Sequence, residues 1–516
     1  MRYAGDYNAD EIIILGTSGK KSRNLDISDL VIELNVYESI YRHSLTGSIV
    51  VLDSIDLMQE IPLTGNERIS FRMQSARGTI DASADTGHPM YIYKMTDKQR
   101  VKEGIDRYTL HFCSREMLRS IRTRVSHADE GPINEIVSRI FTDKQGLDSR
   151  KRLHFEPTRN SDKYTFPNLR PLDAIAMLSN KALSEHGKSA GYYFYETTQG
   201  YYFRSYENMV GIHSRMARPA AEKYDHKVRT STVGNRSNGE GGPRDGGNPG
   251  GNPNAKNIFD DFRSVDSYNF INTYDSAAHQ ATGTYASHMI MHDFYTKTYQ
   301  EVDFNYHNNY NEELHTDSFR QNKPYNERFP ISTAPIDYDQ LSVSDYPKSR
   351  ISLLPTSRFL HNEDTGIFGV QPQSEGLLEA KRVSQQNSIA NGIKLEMIVP
   401  GQCQLVAGDV IDFDLRTLSK QKLLPGSDTK DVNHAGRYLI TTLRHTFKPV
   451  IRQYQCHMKC VKDSLFNELP NDDDVSFPPE KSFHRSSSGS SNTKAELIDL
   501  SFSDDQDNRE SYRGRY

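Results

Sequence analysis

The sequence predicts an α+β chain dominated by β-structure, on three observations. Apolar residues alternate with polar ones near both ends of the chain, the period that fills one face of a strand. Between those ends a shorter stretch changes to helical spacing. The hydrophobic fraction is 35% over 516 residues, and Asn, Asp, Ser, Tyr and Gly are frequent, as in a loop-rich β-protein. At roughly 150 residues per domain, three to four domains with separate cores are expected.

Residues 1–115 form the first β-domain. Ile32, Leu34, Val36 and Ile40 alternate onto one strand face. The run "SIVVLD" is apolar at consecutive positions, as in a strand covered on both sides. "RISFRM" and "RYTLHF" alternate again, with turns at Gly47, Thr64–Asn66 and Gly87–Pro89. Residues 116–210 form an α/β module. Met117, Leu118, Ile121 and Val125 follow a Ser114 cap, and a second helix opens at Pro132. A third runs from Pro171 to Gly187, followed by a hairpin turning at Gly200.

Residues 211–256 connect onward through a flexible Gly/Asn/Pro-rich insertion, too apolar-poor to offset its ordering entropy. Residues 257–375 are irregular and rich in Tyr and Asn, part of a second β-domain or an accessory one. Residues 376–465 read as a helix ending at Gly392, in a left-handed cap, followed by a meander of about five strands. Residues 466–516 form a disordered polar tail.

The bulk properties exclude several classes. A net charge of -5 gives no overall field for gripping nucleic acid. Four cysteines are too few for a disulfide framework in so long a chain. No apolar run approaches 18 residues and the N-terminus lacks a signal layout, so a soluble chain matured in a reducing cytoplasm is expected.

No segment carries a complete catalytic or metal signature, and neither catalytic, cofactor-binding nor metal-binding residues are assigned. Gly16, Gly19, Lys20 and Ser22 follow a strand, but a phosphate loop needs four residues between its glycines and then a helix. Cys456 and Cys460 flank His457, yet period two turns both thiols to one strand face with Tyr454 and Met458, the pattern of core packing. On a helix His288 and His292 would share a face beside Asp293, but the glutamate a zinc protease places next to its first histidine is missing, and the segment reads equally as a strand. Glu33 and Glu38 are the nearest approach to a glycosidase pair. The Tyr-rich stretches 192–206 and 295–310 suit either a stacking surface or a protein interface.

The ordering of these pieces carries a resemblance. A domain containing "ELNVYESIYRHSLTGSIVVLDSIDLMQEIPLTGNERISFRM" precedes an α/β module, and the chain closes on "IKLEMIVPGQCQLVAGDVIDFDL", "GRYLITTLRHTF" and "RQYQCHMKCV". This resembles the central baseplate hub proteins of contractile-tailed, T-even-type phages, and the related N-terminal part of valine-glycine repeat spike proteins of type VI secretion. The resemblance covers residues 10–115 and 376–461, and 116–210 in layout. It implies two tail-tube-like antiparallel β-barrel domains per chain, a homotrimer forming a pseudo-sixfold ring, and a channel that passes DNA. It implies as partners a trimeric spike, a tail-tube initiator or tube protein, a tape-measure protein and baseplate wedge proteins, in a virion tail assembled in the host cytoplasm. No cofactor and no enzymatic activity are expected. The alternatives are a tail-associated peptidoglycan hydrolase and a glycan-binding tail protein.

Overall fold

A computed structural model describes residues 5–16, 24–57, 63–85, 87–159, 161–185, 190–211, 223–225, 264–293, 297–310, 313–316, 341–356, 372–415, 431 and 433–465. Gly19, Lys20, Ser22, the Gly-rich insertion and the C-terminal tail lie outside the described residues.

After two short strands, Ile13–Leu15 and Leu25–Asp26, the main sheet is built from β1 (Val31–Ser39), β2 (Thr46–Asp53), β3 (Arg68–Ser70), β4 (Met90–Lys102) and β5 (Ile105–Cys113). A bulge between Val31 and Glu33 shifts the pleat of β1. Val31, Leu34 and Val36 therefore enter the core, while Ile32 is only partly buried. On β2, Ile49 and Val51 are buried but Val50 and Leu52 are half-exposed. Among the described residues the strand is fully covered on one face and only partly on the other, where two fully covered faces were expected.

The module then builds α1 (Arg115–Arg122), α2 (Ile133–Thr142), β6 (Leu153–Phe155), α3 (Pro171–Ser179), β7 (Tyr192–Thr197) and β8 (Gly200–Ser205). Ser114 occupies the N-cap of α1, though its hydroxyl makes no capping bond. Val125 lies beyond the helix and exchanges backbone hydrogen bonds with Leu169, at 2.8 and 3.0 Å. α3 ends at Ser179 and not at Gly187, because the Lys181 and Ala182 N–H groups both turn back to Leu178 O.

The region expected to be irregular holds regular structure: β9 (Ser267–Asn272), then β10 (Ala286–Asp293), β11 (Thr298–Asn305) and β12 (Ile351–Thr356). These last three form a separate sheet in the order β11-β10-β12. Alternation of apolar and polar residues is blurred there because Ile351 and Leu353 of β12 are exposed and Ile290 shares the outward face of β10 with His288 and His292. α4 (Pro372–Asn391) leads into β13 (Ile393–Pro400), β14 (Val410–Asp414), β15 (Gly436–Lys448) and β16 (Gln453–Lys462). Gly392 is not left-handed. A Cβ there would stand 2.5 Å from Ser388 O and 2.7 Å from Lys462 O, so close approach, not handedness, requires glycine.

The main sheet runs β9-β13-β16-β15-β1-β2-β5-β4-β3 and continues through short strands Ile13–Leu15 and Leu25–Asp26. It is mainly antiparallel, and among the described residues no closed barrel forms. Each half uses its free edge on the other half, joining β1 to β15, instead of closing on itself. One core spans both halves, from Leu34, Ile49 and Phe112 to Met397, Phe413 and Met458. Gly401 sits against this core with Tyr454, whose ring carbon would lie 2.2 Å from an added Cβ. Gly401→Ala is expected to cost about 1–3 kcal/mol by overpacking, read as a lower denaturation midpoint with unchanged slope.

Candidate functional site: two equivalent half-sheets joined edge to edge

The two halves of the main sheet are one design used twice. In chain order the first half is β1, β2, β3, β4, β5 and the second is β9, β13, β14, β15, β16. Spatially the first runs β1-β2-β5-β4-β3; in the second, β9-β13-β16-β15 has the same order and β14 pairs with β15. The equivalence extends to matched residue pairs along the ladders, although β4 has two further bulges, at Asp97–Lys98 and at Val101, that β15 lacks. Phe112 pairs with Gly47 and Ile92, as Cys460 pairs with Leu395 and Ile440. Leu110 joins Ile49 to Met95, as Met458 joins Met397 to Leu443. Both long strands bulge at the same place, with Tyr93 extra in β4 and Thr441 extra in β15.

The small strands also match. Arg68 and Ile69 pair with Tyr91 and Met90, as Val410 and Ile411 pair with Leu439 and Tyr438. The Ile92 N–H donates to Glu67 O at 2.9 Å, and the Ile440 N–H to Asp409 O at 2.8 Å. A short repeat underlies this: "LTGNERISF" at 63–71 aligns with "LVAGDVIDF" at 405–413, placing Phe71 and Phe413 in the core. That repeat was present in the sequence, and its low identity hid it.

The halves meet where β1 pairs with β15, from Leu34↔Phe447 to Ser39↔Thr442. On the outer face Arg444 donates to Asn35 Oδ1 at 2.8 Å and Glu33 Oε1 at 2.7 Å, with its guanidinium 5.7 Å from the Tyr37 ring centre. Both partners are about a third exposed, so the ion pair adds on the order of 1 kcal/mol or less. Arg444→Ala is expected to lower stability by about 1 kcal/mol, and less in high salt.

The inner face of the join is sealed and polar at one point. Glu38 accepts from Thr198 N at 2.7 Å and Ala407 N at 2.8 Å, tying β1 to the module and to the second half. His445 stands 3.9 Å from Glu38 and its Nδ1 lies 2.8 Å from Tyr454 Oη and 3.6 Å from Cys456 Sγ. Burial holds His445 neutral, down to about 3, and pushes the Cys456 thiol up to about 12. A thiol, an imidazole and a carboxylate in sequence resemble a nucleophilic arrangement, but all three are fully buried. The cluster holds the join together.

Among the described residues, the face of the eight longer strands opposite the core carries Lys94, Arg107, Lys394, Arg444, Lys448 and Lys459 together with Glu33, Asp97 and Glu396, beside the apolar Val50 and Ile398. Glu33 and Glu396 are ion-paired, Glu33 to Arg444 at 2.7 Å and Glu396 to Lys459 at 2.6 Å. Where the first half meets the module, Lys151 Nζ lies 2.9 Å from Glu116 and 2.6 Å from Glu196. A cavity of about 300 Å³ opens beside it, lined by His88, Tyr91, Arg115 and Arg150.

The residues singled out by sequence fall apart in space. Glu33 points outward and Glu38 inward, so they form no carboxylate pair. Cys456 and Cys460 are both buried in the core. His288 and His292 share a strand face, and His288 Nδ1 lies 2.6 Å from Asp303. Among the described residues no group of side chains is arranged to hold a metal ion. The Tyr-rich hairpin 192–206 is no surface: Tyr192, Phe194, Tyr201 and Phe203 pack into the module, while Tyr193, Tyr195 and Tyr202 pack against the main sheet. A strand pair buried on both faces explains why aromatic residues occupy consecutive positions.

No family model and no curated protein matches the chain. Solved structures do. A tail protein from Neisseria meningitidis MC58 aligns at 7% identity over 89% of this chain and 97% of its own, with a TM-score of 0.45. The 43 kDa tail protein of prophage MuSo2 from Shewanella oneidensis aligns at 8% over 89% and 100%, with a TM-score of 0.44. The E. coli c3393 protein, a type VI secretion component described as similar to T4 tail proteins gp27 and gp5, aligns at 10% over 90% and 79%, with a TM-score of 0.39.

Proposed function

We propose that this chain is the central hub of a contractile-tail baseplate, a structural protein whose three copies close into a ring of six half-sheets. One observation carries this reading: the two halves are related by a shift along the sheet that preserves strand direction. β1 and β9 run the same way, as do β2 and β13, and β4 and β15. A contact of that kind is heterologous, and repeating it either closes into a ring or runs on as a filament. The resemblance drawn from the sequence sets the number of chains at three.

In this reading the polar outer face lines a channel. Its lysines and arginines give passing DNA weak, salt-screened attraction without base contacts. The sixfold repeat matches a hexameric tube, and the threefold matches a trimeric spike. A tape-measure protein, a tube initiator and wedge proteins complete the expected set of partners, in a virion tail assembled in the host cytoplasm.

Light scattering on the purified full chain tests the reading. The expected mass is three times the 58.8 kDa chain, with negative-stain images showing a threefold ring and a central hole. A stable monomer at micromolar concentration would sink it.

A further inference from the structure

Within one chain β15 is divided in two: its first part, Gly436–Leu439, pairs with β14, and its second part, Thr442–Phe447, pairs with β1. β4 is the equivalent of β15, yet only its first part is covered, by β3 at Met90 and Tyr91. Among the described residues no strand pairs on that side of residues 94–102, and Tyr93, Met95 and Val101 are 39%, 37% and 54% exposed. β9 is the equivalent of β1, and among the described residues no strand pairs along its outer edge. Ile271 on this strand is 50% exposed. Open edges of this kind are templates for another strand.

We infer that the second part of β4 in one copy pairs antiparallel with β9 of the next copy, in the register that β15 keeps with β1. This inference rests on the ring reading and adds its residue-level contact. The positions transfer through the matched ladders once the one extra residue of the β4 bulge at Asp97–Lys98 is skipped. Thr446 corresponds to Gln99, since both stand opposite equivalent residues, Gln455 and Arg107. Asn35 corresponds to Asn269, since they stand opposite Ser48 and Glu396. The internal pair Thr446↔Asn35 thus becomes Gln99↔Asn269 between copies, and Phe447↔Leu34 becomes Arg100↔Tyr268.

The chemistry of the pair is conserved in kind. Thr446 donates to Asn35 Oδ1 at 3.0 Å inside the chain, and Gln99 offers Asn269 an amide in the same place. Register is also constrained by the pleat, because a slip of one residue would set outward-facing positions of β4 opposite the inward-facing Tyr268 and Phe270.

Cysteine cross-linking of the full chain decides it. Residues opposite each other on antiparallel strands have Cα atoms about 4.5–5.5 Å apart, within disulfide reach. The four native cysteines are buried. Oxidised Q99C/N269C is expected to run as covalent dimers and trimers that collapse to monomer on reduction. Mixed Q99C and N269C single variants are expected to stop at dimers. The offset pair K94C/N269C, displaced by about 13 Å along the strand, is expected to stay uncross-linked. Trimers by mass with no covalent product from Q99C/N269C, or with equal product from the offset pair, overturn the register and leave the ring. Cross-linking of Q99C alone would show a symmetric contact and overturn the inference. Monomers by mass overturn the ring reading and the register with it.

Discussion

Lys151→Met is expected to destabilise the fold by about 3–5 kcal/mol, the largest single effect predicted for this chain. Lys151 is 10% exposed and holds Glu116 and Glu196, each 3% exposed, on either side of its ammonium. Glu116 also accepts from the Ser149 hydroxyl at 2.7 Å. Glu196 accepts from Leu45 N at 2.7 Å and the Tyr201 hydroxyl at 2.9 Å. The cluster therefore binds α1, β7 and the β1–β2 turn at the seam between module and sheet. Without the cation two carboxylates remain buried side by side, which costs more than the lost ion pair itself.

The pH dependence follows from signs. Lys151, though desolvated, is raised above its ordinary value by the two carboxylates; that contribution is present below 10.5 and is lost as pH rises through the raised value. Glu116, despite the opposing effect of burial, is held below its ordinary 4.5 by Lys151, so its contribution fades as pH falls through the lowered value. In Lys151→Met the Glu116 carboxyl gains affinity for protons, so the deficit should shrink toward acid pH. Urea titrations at several pH values measure this. A Lys151→Met loss under 1 kcal/mol at neutral pH would show that the seam is not held this way.

Glu38 gives the second large effect, with the opposite sign. Complete burial raises its carboxyl from 4.5 to about 7, outweighing the backbone N–H groups of Ala407 and Thr198, which favour the anion. The folded chain therefore binds this proton more tightly than the unfolded chain. Its contribution is fully present below 4.5 and is lost as pH rises to about 7, a change of roughly 3 kcal/mol. Glu313, also buried and raised to about 7, acts in the same direction. Stability should thus fall between pH 4.5 and 7.5, and Glu38→Gln should remove about half of that fall. Equal slopes for wild type and Glu38→Gln would refute the assignment.

Legibility in the sequence followed the simplicity of the local pattern. Alternation at Leu34 and Val36, at Tyr108, Leu110 and Phe112, and at Leu395, Met397 and Val399 located strands directly, because each has one core face. The helix behind Pro132 was equally plain, since Ile133, Ile136, Val137 and Ile140 recur at helical spacing. The hairpin at 192–206 misled as a surface because both of its faces are buried, and aromatic residues at every position look the same whether they face solvent or two cores. His288 and His292 left helix and strand open, because a spacing of four shares a face on either, and the structure places them on a strand.

By itself the sequence determined where strands and helices form outside residues 257–375, since hydrophobic period is a local property. It also determined that neither a membrane helix nor a disulfide framework should be looked for. Only the tertiary structure decided that the two β-regions are equivalent halves of one sheet. Equivalence lies in hydrogen-bond register, which pairs Leu34 with Phe447 across more than 400 residues and leaves no trace in local periodicity. It also decided which edges stay open, because an edge is defined by the strand that is missing beside it.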